Sequence, residues 1–147
     1  MKQHLIEFLD GDLLKLKKEV EAFPDDAAFW SVSEGITNSP GNLTLHLLGN
    51  LNHYIGAKLG KSGYVRDRPL EFSSSPIPRA EILDRIEKTR AVVVDAVKQL
   101  SDDDLTSDYP ADEVGENRTV GAELVRILTH FNYHRGQINY YRRLSSK

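Results

Sequence analysis

The segment His130-Phe131-Asn132-Tyr133-His134-Arg135-Gly136-Gln137-Ile138, near the C-terminus, constrains this chain more than any other stretch. Two histidines four positions apart on a helix stack one above the other on one face, so both imidazoles reach a single point in space. The helical reading comes from the surroundings: Val120, Leu124, Ile127, Phe131, Ile138 and Tyr141 recur at spacings of three, four or seven and form one stripe. His134 falls inside that stripe and His130 along its edge, with Glu123 and Gln137 beside them, so the pair faces the interior of a bundle. The same spacing would suit two neutral core histidines with both ring nitrogens hydrogen-bonded; a third ligand has to decide for a metal.

The choice of metal ligands is narrow because the sequence has no cysteine. Thiolate metal sites, disulfides and a cysteine nucleophile are excluded, and a cation must take histidine, carboxylate or water. This usage fits a cytoplasmic protein. Met1 to Asp12 carries Glu7, Asp10 and Asp12 where an export signal would be continuously apolar. The longest aliphatic cluster, Ala91-Val92-Val93-Val94, is far shorter than the roughly 20 residues that span a bilayer, so no membrane partner is expected. A net charge of −3 lacks the clustered positive field that nucleic acid requires. Arg135, Arg142, Arg143 and Lys147 read instead as a helix end complementing its dipole. The 147 residues, 39% hydrophobic, are enough for a single domain over 1–147 with one core.

Leu5, Leu9, Leu13, Leu16 and Val20 keep helical spacing with Lys15, Lys17, Lys18 and Glu19 turned outward, and this first helix ends near Phe23-Pro24. From Asp25 to Asn38 the pattern breaks into a connection, with Trp30 its large anchor and a cap on the core. Ser39 as N-cap and Pro40 at the first helical position start a second helix, running to about Gly60. It is apolar on two sides: Leu45, Leu48, Leu51, Ile55 and Leu59 on one, and Leu43, His46, Leu47, Asn50, His53, Tyr54 and Ala57 on the other. A surface helix needs one such face, so the second must meet another helix or a second subunit, and a homodimer is expected. Lys61 to Pro78 reads as a long loop crossing the bundle. A third helix carries Ile82, Ile86, Thr89, Val93, Ala96 and Leu100, and Ser101-Asp102-Asp103-Asp104 stops it. Leu105 to Arg118 is polar and irregular, with room for a short hairpin, and Thr119 caps the last helix. The fold class is therefore all-α, a four-helix bundle with long crossover loops.

Metal sites in bundles are built from inward side chains on facing helices, which points to the second helix. His46 and His53 are two turns apart and almost aligned, so either could join His130 and His134 in a three-imidazole site open at a fourth position. Ligands of this kind leave the cation its full charge, so it acidifies whatever occupies that position. The glutamate of an H-E-x-x-H peptidase is missing, Phe131 and Asn132 standing in its place. Glu123 is the carboxylate on the last helix nominated as a base, with Gln137 and Asn50 as donors that orient a ligand or bound molecule.

His46-Leu47-Leu48-Gly49-Asn50-Leu51, followed far downstream by His130-Phe131-Asn132-Tyr133-His134-Arg135-Gly136-Gln137-Ile138, resembles the DinB-like superfamily of metal-binding four-helix bundles. The likeness covers nearly the whole chain and is most specific in the H-x-x-x-H-R-G-Q element. It implies His46, His130 and His134 as ligands, with His53 in a neighbouring role, an up-down-down-up bundle, a divalent ion such as zinc or nickel, and frequent dimers. It also implies a choice of activities: thiol transfer or isomerisation with mycothiol or bacillithiol, metal-dependent hydrolysis, or no reaction at all. A transferase acting on a small molecule with a low-molecular-weight thiol needs no protein base and suits these residues best; Arg135 or Arg66 would then face the thiol's carboxylates. The other class is a non-enzymatic, metal-stabilised dimeric bundle that serves in binding or the stress response.

Overall fold

The structure, a computed structural model, describes residues 1–110 and 118–145. Four long helices form its frame: α1 (Lys2–Glu21), α3 (Pro40–Leu51), α5 (Arg79–Gln99) and α7 (Val120–Ser145). Between them lie the short helices α2 (Asp26–Trp30), α4 (Arg68–Ser73) and α6 (Asp102–Thr106). The expected apolar stripes are the buried ones: Leu5, Leu9, Leu13, Leu16 and Val20 from α1, Ile82, Ile86 and Val93 from α5, and Leu124, Ile127, Phe131 and Ile138 from α7 meet in one core. The start signals also hold, since Ser39 Oγ accepts from the Asn42 amide and Thr119 Oγ1 from the Ala122 amide.

Side-chain pairs between helices fix their directions. Lys2 Nζ donates to the Leu100 carbonyl, Arg90 pairs with Asp10 and Lys17 with Glu87, so α1 and α5 are antiparallel. Asn132 donates to Asp12, and Asn139 and Arg142 to Glu19, a parallel register for α1 and α7. His46 meets His130 and His134, while Tyr54 lies beside Arg126, so α3 opposes α7. Asn52 reaches Thr89, and Gly56 and Gly60 sit against Val92 and Ala96, which makes α3 and α5 parallel. The resulting order is up-down-down-up. Parallel neighbours need a long return, which is why the chain from Lys58 to Pro78 crosses the bundle.

Three connections contain structure that periodicity could not reveal. In the Asp25–Asn38 stretch, Asp25 caps α2 through the Ala28 amide, and the fully buried anchor is Phe29 rather than Trp30. Phe29 packs edge-on between Phe23 and Trp30, with ring centroids 5.3 and 5.4 Å away. Trp30 closes the core from outside, its Nε1 donating to the Ile77 carbonyl and its ring lying where a Cβ on Gly41 would sit. Phe29→Ala should lower the unfolding free energy by about 3–5 kcal/mol, measured by urea titration, because no flanking residue can fill the void. The Lys61–Pro78 loop contains α4, capped by Asp67. The acidic run after Leu100 both ends α5 and begins α6, where Ser101 and Asp104 form a reciprocal capping box.

The second helix departs from regularity at Asn52–Ala57, a π-helical segment in which the chain winds more widely than an α-helix. At its start the Asn52 amide donates to the Leu48 carbonyl one turn back and to Thr89 on α5. Both apolar sides of α3 are covered within the chain, by α4, α5 and α7, so the doubled face finds its partners without a second subunit. Glu19, expected on the outer face of α1, instead ties that helix to Asn139 and Arg142. A bridge between Asp108 and Thr119 closes the segment before α7; the hairpin envisaged between them falls mostly on 111–117, outside the described residues, as does Lys147. Among the described residues no helix is long and apolar enough to cross a membrane.

Candidate metal centre

His46 projects from the middle of α3 toward α7, where His130 and His134 project back. One ring nitrogen from each lies within 4.8 Å of the other two, and His46 Nε2 and His130 Nε2 are 3.2 Å apart. The rings stand edge to face, at interplanar angles of 75°, 88° and 84°. Zinc–nitrogen bonds of about 2.0–2.1 Å at tetrahedral angles place ligand nitrogens roughly 3.3 Å apart. The His46–His130 separation fits such an ion, and the three imidazoles could hold one.

The outer nitrogens decide which lone pairs face inward. His46 Nδ1 lies 2.9 Å from Glu71 Oε1, and an ionised carboxylate only accepts, so Nδ1 carries the hydrogen and Nε2 is a bare lone pair. Burial raises the Glu71 pKa, but its bonds from His46 and Arg66 outweigh that and hold the carboxyl below its ordinary value. His134 Nδ1 donates likewise to Gln137 Oε1 at 2.7 Å, one turn further along α7. Imidazoles backed by a carboxylate or carbonyl in this way are oriented and made more basic toward a cation. His130 Nδ1 is buried without a partner among the described residues.

The two α7 imidazoles resist protonation. Burial, then the neighbouring His134 and His46, push His130 down to about 4. Burial lowers His134 too, against the opposing bond to Gln137. A folded state that refuses a proton accepted by the unfolded chain below 6.5 loses stability as the pH falls from 6.5 toward 4. In metal-free protein, His130→Gln is expected to flatten that part of the stability–pH curve. Urea titrations across the interval would contradict this if both proteins showed equal slopes.

The three histidines open onto a cleft of about 360 Å³, lined also by Asn50, Tyr54, Arg66, Arg68, Phe72 and Arg126. A wider trough of about 780 Å³, bordered by Ile36, Tyr133, Tyr140 and Leu144, shares Asn38, Leu43 and His134 with it. Of the residues singled out in the sequence, His46, His130 and His134 converge, Gln137 holds His134, and Asn50 lines the cleft. Glu123 lies elsewhere. It is fully buried and ion-paired with Arg118 and Arg126; those pairs overcome the effect of burial and keep its carboxyl ionised. Its effect on the cleft is indirect, through Arg126. His53 is not in the convergent group, and its ring packs on Tyr54. His4 is exposed at the start of α1.

Arg66 faces the cleft as expected, but Arg135 turns toward α1, donating to Asn132 Oδ1 and lying 3.9 Å from Asp12. The H-R-G-Q element therefore divides its work: His134 and Gln137 belong to the site, while Arg135 ties α7 to α1. Glu71, Arg68 and Arg126 were missed. The one signal that could have found Glu71 is Gly49, on the same face of α3 as His46 and one turn later. A Cβ there would lie 1.9 Å from Glu71 Oε2, so only glycine lets α4 bring its carboxylate to His46.

No curated protein sequence matches the chain. A crystal structure of a DinB-like protein from Bacillus cereus is similar to it over 92% of this chain and 86% of that chain, with a TM-score of 0.69 and 19% sequence identity. At that identity the likeness establishes the fold: the bundle is DinB-like. The sequence model described as "Protein of unknown function (DUF1572)" matches residues 7–146, nearly the full length, and the chain accordingly belongs to the DUF1572 family.

Proposed function

We propose that His46, His130 and His134 hold a divalent cation, zinc or nickel, facing the cleft, and that the protein uses it on a small molecule as a thiol-dependent transferase. The observation that carries this reading is the convergence of three imidazoles, two of them oriented through Nδ1 by Glu71 and Gln137. When bound, such an ion lowers the pKa of a thiol or water beside it. Hydrolysis would profit from a carboxylate base, and among the described residues none lines the cleft. Glu71 is engaged by His46 and Arg66, and Glu123 by two arginines. Thiol transfer requires no such base. Asn50, which lines the cleft, would orient a bound molecule, and the adjoining trough would take its apolar part.

The test is elemental analysis of gently purified protein, followed by thiol-transfer and hydrolase screens with the metal found. Stoichiometric zinc or nickel and thiol-dependent turnover abolished by chelation, with helicity retained, is the expected result. Turnover without a thiol would favour hydrolysis. Unfolding on chelation without turnover under any condition would favour a structural ion in a binding protein.

A further inference from the structure

The cleft beside the three histidines is strongly one-sided in charge. Arg66, Arg68 and Arg126 line it, and among the described residues no aspartate or glutamate does. The carboxylates behind the wall are already shared. Glu71 accepts from Arg66 Nε and Nη2 while holding His46, and Glu123 serves both Arg126 and Arg118. Arg68 has no ion pair among the described residues; its guanidinium lies 5.4 Å from the Phe72 ring centroid. Arg126 spends Nε and Nη2 on Glu123, which leaves Nη1 without a protein partner among those residues.

The guanidiniums are also held in position. Arg66 and Arg126 lie 5.9 and 5.7 Å from the centroid of the same Tyr54 ring, and their acidic partners fix the other edge of each. Tyr54 sits in the π-helical segment, fastened by the Tyr109 hydroxyl donating to its carbonyl. Positively charged groups concentrated in a small cleft with low-dielectric walls focus an attractive field on anions, and preorganised guanidinium forks match carboxylate and phosphate oxygens.

We infer that this cleft binds a small anion, its carboxylate or phosphate group seated on Arg126 and Arg68 beside the convergent imidazoles. The inference names the substrate class for the function proposed above and rests on that reading only for the reacting centre; the anion is recognised by different side chains. A 360 Å³ cleft is of small-molecule size and calls for a compact acid.

Titration calorimetry with benzoate, phenyl phosphate and the neutral analogue benzamide tests it. The protein should bind one or both anions and bind benzamide far more weakly; the preferred anion separates the carboxylate source from the phosphate source. Arg68→Ala should weaken anion binding about tenfold with metal content and thermal midpoint retained, and Arg126→Ala should weaken it similarly while also lowering the midpoint, because buried Glu123 loses a partner. Arg143→Ala, on the exposed end of α7, should leave it unchanged. Equal affinity for benzamide and benzoate, or undiminished binding in the Arg68→Ala, Arg126→Ala double variant, would overturn the inference. Anion binding by a protein found to contain no metal would sustain the inference and sink the metal proposal; bound metal without anion binding would do the reverse.

Discussion

His130→Ala and His134→Ala are each expected to purify without stoichiometric metal while remaining helical. Three imidazole nitrogens supply every protein ligand in the proposed site, so either truncation leaves two imidazoles and, among the described residues, no carboxylate in the cleft to replace the third. His46→Ala should have the same effect on the ion and a larger one on the fold. Glu71 is buried and receives its bonds from His46 and Arg66; removing the imidazole leaves Oε1 with Arg66 Nη2 alone and takes away a bond to a charged group, at a cost of about 1.5–3 kcal/mol. The two α7 histidines carry no such buried carboxylate. Inductively coupled plasma mass spectrometry on the three variants, with urea unfolding alongside, separates the two effects. Full metal occupancy in the α7 variants would refute the ligand assignment.

The frame of this fold was legible because three of its long helices, α1, α5 and α7, each carry one apolar stripe, and those stripes are the ones found buried. The pairing of the α7 histidines was legible for a related reason: His130 and His134 lie within one regular helix, where spacing fixes direction. On α3, spacing alone left His46 and His53 equivalent, because the π-helical segment that begins at Asn52 leaves no mark in the periodicity. The short elements were invisible for want of length. α2 and α4 offer too few residues for periodicity, and both depend on an aspartate cap. Glu71 could not be found by composition, since a glutamate in a polar loop looks solvated until the loop folds back onto α3. Glu123 misled for the opposite reason: its place on the helix was read correctly, but Arg118 and Arg126 occupy it.

Gly49→Ala is expected to disturb the α3–α4 contact, and the disturbance should reach the proposed metal site through Glu71. The added carbon would lie 1.9 Å from Glu71 Oε2 and 2.7 Å from its Cδ, distances no packing tolerates. Relief requires α4 to withdraw or the carboxylate to rotate, and either movement breaks the bonds to His46 and Arg66 together. Overpacking of this kind costs about 1–3 kcal/mol, and losing the outer partner of a metal-bound histidine weakens the ion about 10–100-fold. Steric and electrostatic contributions can be separated by a cycle with Glu71→Ala, in which the colliding atoms are gone. On that background Gly49→Ala should cost no stability, and a helical alanine gains up to about 1 kcal/mol over glycine. Metal affinity should stay low in both the Glu71→Ala single variant and the double variant, because His46 has lost its carboxylate either way. Were Gly49→Ala equally destabilising with and without Glu71, the glycine would serve backbone conformation rather than the approach of the carboxylate. The link drawn between the H-x-x-G spacing on α3 and the metal centre would then be broken.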